Sequence, residues 1–507
     1  MPAWSEGYFT DVQYTGYFYA YMAPPYLSAA CLLHGVRPPE LTEGAAYLEL
    51  GCGQGFGLNL MAAANPQIAF HGVDFHPGQI ANAQRLARAA GLANVSFRDW
   101  SFAQMLAAGE GELPRVDVVA LHGVYSWVSP ENRAAIVAII DRVLKPGGLV
   151  YASYNAMPGW SPHIPVRQFL AEHYARSTGE PAARLTAALQ AAQAFAETGA
   201  GFLSQPGPKQ IIARSLRQPP AYLFHEYLNA DYHALFHAEV AEEMDAARLS
   251  FACSAVGAED IAALSAPAKL RPMIEAAADE TWRQTLLDYA GTKSFRRDIF
   301  VRGRNELSAA ERSARLKAVR FAMLVPQAAV NLEFPVPIGT LTGDPAIYRP
   351  IVEGLADGPR TLGELMAAPA LKGADEGLVL RAVTLLLGGG QIHPAPGGAA
   401  GPAAGFNRAL VEEMEYGGGA RHIAAGVTGT GVPVSFTDLL GLRAALRGED
   451  AAETARLGLE LMARGSTTVQ KDGKPLTDPK EAEAEVLRRI KAFPETKLPL
   501  LHQIGAV

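Results

Sequence analysis

The chain has 507 residues, 49% of them hydrophobic and 19% charged, with a formal net charge of −7. That length sets a prior of roughly three to four domains, and the composition excludes a disordered chain. No large basic block is present, so a general nucleic-acid binder is not expected, because phosphate contacts need clustered Lys and Arg. Cys31, Cys52 and Cys253 form no CxxC pair, which argues against a disulfide framework or a structural zinc site. Glu6 and Asp11 precede any apolar run, and no uncharged apolar stretch reaches the roughly 18 residues a membrane span needs. The expectation is a cytoplasmic protein with no membrane association.

The first 44 residues read as an arm. Nine of the first 26 are aromatic: Trp4, Tyr8, Phe9, Tyr14, Tyr17, Phe18, Tyr19, Tyr21 and Tyr26. Tyrosine offers an apolar body and a polar tip, so the arm suits packing over the next domain, a lid over a ligand, or both. From residue 45 a βα alternation begins. Strands are expected at Ala46–Leu50, Ile68–Asp74, Val95–Asp99, Val116–Leu121 and Leu149–Ser153, and helices over about 56–64, 77–90, 101–108 and 130–144. Such spacing predicts right-handed βαβ units and a parallel sheet. Lys145-Pro146-Gly147-Gly148 is expected to stop the fourth helix and turn into the fifth strand.

Residues 162–247 read as a helical insertion, after which Leu249–Ser254 and Arg297–Arg302 complete the sheet across a helix-rich 258–290. The unit 45–303 thus forms one domain, and 304–339 a linker. Within 340–405, helices around 346–356, 361–367 and 376–388 lead into Gln391–Pro394 and a Gly/Ala/Pro-rich stretch, a pattern resembling a winged helix with a hairpin. Its acidic balance favours dimerisation or docking over DNA binding. Residues 406–507 read as amphipathic helices, with a polar turn at Lys471–Lys474. A homodimer through the C-terminal half is one expectation.

The chemistry concentrates at the strand ends. Glu49-Leu50-Gly51-Cys52-Gly53-Gln54-Gly55 joins a strand to a helix, and its glycines let the backbone approach a ligand beside free helix N–H groups. The spacing is GxGxG without the third glycine of GxGxxG, and Glu49 would repel a pyrophosphate while suiting an amino group and a sulfonium. Asp74 closes the second strand at a distance suited to both ribose hydroxyls; its bland alternative is a helix N-cap. Phe75 would pack on the adenine. Asp99 and Trp100 end the third strand, as acceptor from the adenine amino group and cover for the ring, or as a surface turn. His122 stands at the tip of the fourth strand.

The set Leu48–Gly55, Gly72–Phe75, Arg98–Trp100, His122–Val128 and Leu144–Gly148 resembles the class I S-adenosylmethionine (AdoMet)-dependent methyltransferases over about residues 45–303. The resemblance implies an α/β, Rossmann-like seven-stranded sheet with its last strand antiparallel. It also implies AdoMet binding by Glu49, Gly51, Gly53, Gly55, Asp74 and Asp99. Gly7–Thr15, His122–Val128, His225–Asn229 and Phe295–Asp298 are similar to methyltransferases carrying a so-called regulatory domain. That group includes the rickettsial-type protein lysine methyltransferases of outer-membrane proteins. The resemblance places His225-Glu226-Tyr227 near the substrate cleft.

The candidate cofactor contacts are therefore Tyr14, Tyr17, Glu49, Gly51, Cys52, Gly53, Gly55, Asp74, Phe75, Asp99, Trp100 and His122. The candidate catalytic set is His122, Tyr125, Trp127, His225, Glu226 and Tyr227. His122 would contact the methionine part of AdoMet, help with a proton, or hold its loop. Tyr125 and Trp127 would form the acceptor wall or pack in the core. No metal is expected: His233 and His237 would share a helix face, but the nearest third ligand, Glu226, is remote. The expected activity is methyl transfer to a protein lysine, with a small-molecule O- or N-methyltransferase and a silent AdoMet-binding protein as alternatives.

Overall fold

The computed structural model describes residues 8, 16–109, 111–398, 400–416, 420–464, 468–471 and 474–507. Tyr14, one of the candidate cofactor contacts, lies outside them. After α1 (Pro24–Leu33) the βα alternation runs through β1 (Ala45–Leu50), α2 (Phe56–Ala64), β2 (Ile68–Val73), α3 (Pro77–Ala89), β3 (Val95–Arg98), α4 (Phe102–Ala107), β4 (Val116–Leu121), α5 (Pro130–Val143) and β5 (Leu144–Asn155). Every residue of β1 is buried, as a central parallel strand covered on both faces requires. The helix starts are written locally. Ser129 accepts from the Asn132 N–H ahead of Pro130, and Ser101 forms a capping box with Gln104. β5 begins directly after α5, so Lys145–Gly148 lies inside the strand as an irregularity in its pairing with β4, not as a separate turn.

A helical excursion follows: α6 (His163–Arg176), α7 (Pro181–Glu197), α8 (Pro206–Ser215), α9 (Pro220–Tyr227) and α10 (His237–Asp245). Helices α6–α9 enclose a core of their own, built on Val166, Leu170, Leu189, Ile212 and Phe224. The chain then returns to the sheet with β6 (Leu249–Ser254), α11 (Ala262–Ser265), α12 (Arg271–Glu275), α13 (Glu280–Gly291) and β7 (Phe295–Arg302). The seven strands take the order β3-β2-β1-β4-β5-β7-β6, with β7 antiparallel to both neighbours.

What holds β7 is a buried ionic cluster. Arg296 is fully buried, binding Asp298 at 2.8 Å, Asp288 at 2.5 Å and the Gln284 side-chain oxygen at 2.8 Å. The Tyr154 hydroxyl of β5 donates to Asp298 at 2.6 Å, and His237 Nδ1 lies 3.0 Å from the same carboxylate. His233 lies before α10 and His237 begins it, so the two do not share a helix face. Among the described residues no cluster of His, Cys, Asp and Glu could hold a metal.

Beyond the sheet come α14 (Ala309–Ala318), β8 (Arg320–Met323), the hairpin β9 (Glu333–Val336) and β10 (Gly339–Thr342), α15 (Pro345–Ala356), β11 (Arg360–Thr361), α16 (Leu362–Ala367), α17 (Glu376–Gly388) and β12 (Ile392–Pro394). The three expected helices form, but β12 is not one arm of a hairpin. It pairs antiparallel with β8, which also pairs with β11. The sequence assigned β8 to a linker because its partners lie about 40 and 70 residues away, beyond the reach of local turn signals. The C-terminal region comprises α18 (Ala400–Glu413), the hairpin β13 (His422–Ala425) and β14 (Thr430–Pro433), α19 (Phe436–Arg447), α20 (Ala451–Arg464), the short pair β15 (Gln470–Lys471) and β16 (Lys474–Pro475), α21 (Pro479–Thr496) and α22 (Leu498–Gln503).

This region is not purely helical, and it shares its core with the α/β sheet. Leu60, Met61 and Phe70 belong to one buried cluster with Phe406, Ile423, Val432 and Phe493. The Asn65 side-chain amide donates to the Gly429 carbonyl at 2.9 Å, tying the end of α2 to the turn of the β13–β14 hairpin. No helix among the described residues is long and apolar enough to cross a membrane.

Candidate active site

The carboxyl ends of β1, β2 and β4 open onto two joined clefts. The first encloses about 920 Å³, including space open to solvent, between Asp74, Phe75, Trp100, Phe102, Val124 and Trp127. The second lies under the arm, among Tyr17, Tyr19, Glu49, Cys52, Gly55 and His122. Gly51, Gly53 and His122 border both. The turn between them depends on glycine. Gly51, Gly53 and Gly55 all have positive φ, and a Cβ on Gly51 would come within 2.5 Å of Val124.

Glu49 is buried, and its Oε2 has no hydrogen-bond partner among the described residues. Burial first, and the nearby Asp74 second, push its carboxyl up to about 8. A buried, unpartnered carboxyl is costly unless something arrives to pair with it. Both oxygens of Asp74 are held by backbone donors, Gly53 N–H on Oδ2 and His76 N–H on Oδ1, each at 2.9 Å. That grip points the carboxylate back over the glycine turn. Helix α3 is capped by the His76 side chain, not by Asp74, so the bland alternative for Asp74 does not hold.

His122 sits between rings. Tyr19 stacks on it at a centroid distance of 3.6 Å, and its Nδ1 lies 2.9 Å from the Tyr151 hydroxyl. Burial, helped by the charge of Arg297, lowers its pKa to about 3. A ring held neutral does not repel a neighbouring cation, but it is too weak a base for proton abstraction. The arm that presents Tyr19 is braced by the C-terminal region: His422 of β13 packs edge-on against Tyr17 at 5.0 Å and against Phe18 at 5.5 Å.

The other candidates separate by location. Trp127 lines the first cleft and packs against Tyr232 at 5.2 Å. His225 stacks on Tyr8 at 5.4 Å, and Tyr8 in turn packs edge-on against Phe75 at 5.9 Å, which brings α9 to the cleft rim. Beside it Glu226 is pushed up to about 7 by burial, against the opposing pull of Tyr222 and Arg167. Tyr125 is not at the cleft. It is fully buried in the core beneath the sheet and donates to Glu243, which also pairs with Arg133 at 3.2 Å. Tyr227 is spent inside the insertion, its hydroxyl 2.9 Å from Ser215. Asp99 is exposed and off the cleft lining, where Ser101 and Phe102 stand instead. Tyr8, Tyr19 and Tyr232 were not singled out from the sequence. The aromatic density of the arm was a signal for the first two, Tyr8 also lies in the Gly7–Thr15 segment, and Tyr232 had none.

A family model described as "Methyltransferase domain" matches residues 48–150, and one described as "Predicted methyltransferase regulatory domain" matches residues 219–302. The uncharacterized protein sll1526 of Synechocystis is 34% identical over 513 residues, covering 99% of each chain. The chain belongs to the AdoMet-dependent methyltransferases that carry a regulatory domain. The uncharacterized protein RP789 of Rickettsia prowazekii is 34% identical over 165 residues, 32% of this methyltransferase and 29% of its own length. The structure of PKMT2 from Rickettsia typhi in complex with AdoHcy superposes with a TM-score of 0.68 at 20% identity, covering 97% of this chain and 99% of its own. The regulatory segment of this methyltransferase is not a separate body: it runs from α9 through β7 and supplies two of the seven strands.

The glycine turn, the orphaned Glu49 oxygen and the tethered Asp74 fit AdoMet, a ligand with a cationic amino end and a diol. One consequence is measurable. With its pKa near 8, Glu49 is mostly protonated at pH 7 in the free enzyme, and pairing with an ammonium requires it to ionise. AdoHcy binding at pH 7 is therefore expected to release about one proton per site. Calorimetry in buffers of different ionisation enthalpy reads this directly. Glu49→Gln should abolish the release; an unchanged release in that variant would assign it elsewhere.

Proposed function

We propose that this methyltransferase acts on lysine side chains of a protein. The observation that carries the reading is the composition of the wall beyond the AdoMet cleft, where Trp127 packs against Tyr232 and the charge of the nearby Glu226 acts on the Tyr232 hydroxyl. AdoMet, when bound, supplies a methyl group activated by its sulfonium. The residues of the chain have to bring a neutral amine to it. Deprotonating a lysine at pH 7 costs about 4–5 kcal/mol from its reference pKa. An aromatic, half-buried wall lowers that cost by desolvating the ammonium, and ring faces attract the cation by roughly 0.5–2 kcal/mol. Glu226 adds a counter-charge for the incoming ammonium. Its raised pKa also makes it a stronger proton acceptor than an ordinary carboxylate, whereas His122 is too weak a base for that task. Tyr19 and His122 close the other side and exclude water from the junction of the clefts.

Incubation with methyl-labelled AdoMet and a cell extract, followed by acid hydrolysis of the protein fraction, is expected to yield labelled methyllysine. Glu226→Gln should lower kcat/KM for the protein acceptor by about 10²-fold or more, in the range of general-base contributions, and leave AdoHcy affinity intact. Label confined to small molecules would replace this reading with a small-molecule methyltransferase.

A further inference from the structure

Next to the cleft lies a cluster of hydrogen-bond donors that the fold does not satisfy. It centres on Tyr232. Trp127 packs on one part of that ring at 5.2 Å, Trp160 lies at 6.1 Å, and the Arg167 guanidinium sits 4.8 Å from the ring centre. His163 stacks on Trp160 at 4.0 Å. Four buried atoms of this group have no hydrogen-bond partner among the described residues: Trp160 Nε1, Arg167 Nε, Tyr232 Oη and His163 Nδ1. Trp160 as a whole is 9% exposed. Arg167 donates through another nitrogen to the Asn229 carbonyl; the carboxylates of Asp231 and Glu226 act on it by charge, without a hydrogen bond to its Nε among the described residues.

Two of these atoms decide the chemistry. An indole N–H and a guanidinium N–H can only donate. Leaving buried donors unmet is expensive, and native folds seldom do it at one place without a reason. The missing partner must offer acceptor oxygens. Three separate segments build the cluster: the loop after β4, the start of α6 with the turn before it, and the loop between α9 and α10. They converge through backbone bonds, His233 N–H to the Ser126 carbonyl at 2.8 Å and Met157 N–H to the Leu235 carbonyl at 3.0 Å. The donors are therefore held in place by the frame that also positions Trp127 at the cleft.

We infer that Trp160, Arg167 and Tyr232 form a subsite that binds the carbonyl or carboxylate oxygens of the methyl acceptor, fixing the acceptor chain while its reactive group passes Trp127 into the cleft. This rests on the lysine reading only for the identity of the reactive group. A polypeptide fits the subsite through its backbone carbonyls, which flank every side chain at a fixed spacing. The indole N–H of Trp160 is then a reporter lying in the subsite itself.

The test uses the full chain, saturated with AdoHcy and labelled with nitrogen-15 at the indoles of its five tryptophans. Trp160→Phe assigns the signal. Three probes are titrated: N-acetyl-lysine-N-methylamide, N-acetyl-norleucine-N-methylamide and acetate. The Trp160 signal is expected to move with the lysine probe, and Arg167→Met should weaken that response at least tenfold while AdoHcy affinity stays unchanged. A response to the amide probes and not to acetate assigns the subsite to peptide carbonyls; the reverse assigns it to an acceptor carboxylate. Equal binding of the norleucine and lysine probes would leave the subsite standing and remove its link to lysine. No movement of the Trp160 signal with any of the three probes overturns the subsite.

Discussion

Asp74→Ala is expected to weaken AdoHcy binding by about 10²–10⁴-fold, since two hydrogen bonds to a charged carboxylate contribute about 1.5–3 kcal/mol each. The structural argument is the double tether. Gly53 N–H and His76 N–H each occupy one carboxylate oxygen, so the side chain cannot rotate away and its remaining lone pairs face the cleft. Loss of the carboxylate also frees the Gly53 N–H, loosening the glycine turn at the same time. Asp74→Asn keeps one accepting oxygen and should fall between the two. Calorimetric titration with AdoHcy, beside circular dichroism to confirm folding, reads the effect. A loss of less than tenfold in Asp74→Ala would mean that the ribose is held elsewhere.

The second large effect concerns stability. Arg296→Met removes the guanidinium from between the buried Asp288 and Asp298, leaving Tyr154 and His237 on Asp298 and Lys293, 3.7 Å away, on Asp288, and should destabilise the fold by about 3–5 kcal/mol. Burial alone would raise the Asp298 carboxyl, but Arg296 and His237 outweigh it and hold it well below the usual carboxylate range. A group depressed in this way stabilises the fold above its unfolded value of about 4, and that contribution is lost as pH falls through the lower folded value. The wild-type melting temperature should therefore drop steeply under acid. Arg296→Met should melt lower at pH 7 and lose less on acidification, because the Asp298 carboxyl is no longer depressed. Parallel melting curves at pH 7 and at about pH 2.5, inside the window between the unfolded and the folded value, would show it, and equal acid sensitivity of the two proteins would refute the assignment. Since β7 lies between β5 and β6, loosening it also threatens α10, which the same network touches through His237.

Much of the candidate donor site can be located in the linear chain. Glu49, the glycines and Asp74 sit at the ends of strands whose apolar runs and helix caps are local signals, and the parallel topology carries strand ends to one edge. Trp100 and Phe75 follow from the same logic. Asp99 did not, because whether a residue one step beyond a strand faces the cleft or the solvent depends on the turn that follows. Tyr125 and Tyr227 were read as candidates because tyrosine is chemically versatile. Each instead finds a hydrogen-bond partner, Glu243 or Ser215, that only the packed helices bring to it.

The sequence alone determined the α/β methyltransferase sheet, its helical insertion and the AdoMet edge, all set by periodicity, capping and glycine placement within a few tens of residues. The tertiary structure alone decided the rest. It carried β8 out of its presumed linker into a sheet with β11 and β12, and set the β13–β14 hairpin against α2, where His422 braces the aromatic arm. It also gathered Trp127, Trp160, Arg167, Glu226 and Tyr232 from separate segments into one wall beside the cleft. The physical reason is range. Backbone propensity and side-chain period act over one element, whereas the neutrality of His122, the raised pKa of Glu226 and the unmet donors around Tyr232 come from burial. Burial is a property of the whole packed chain.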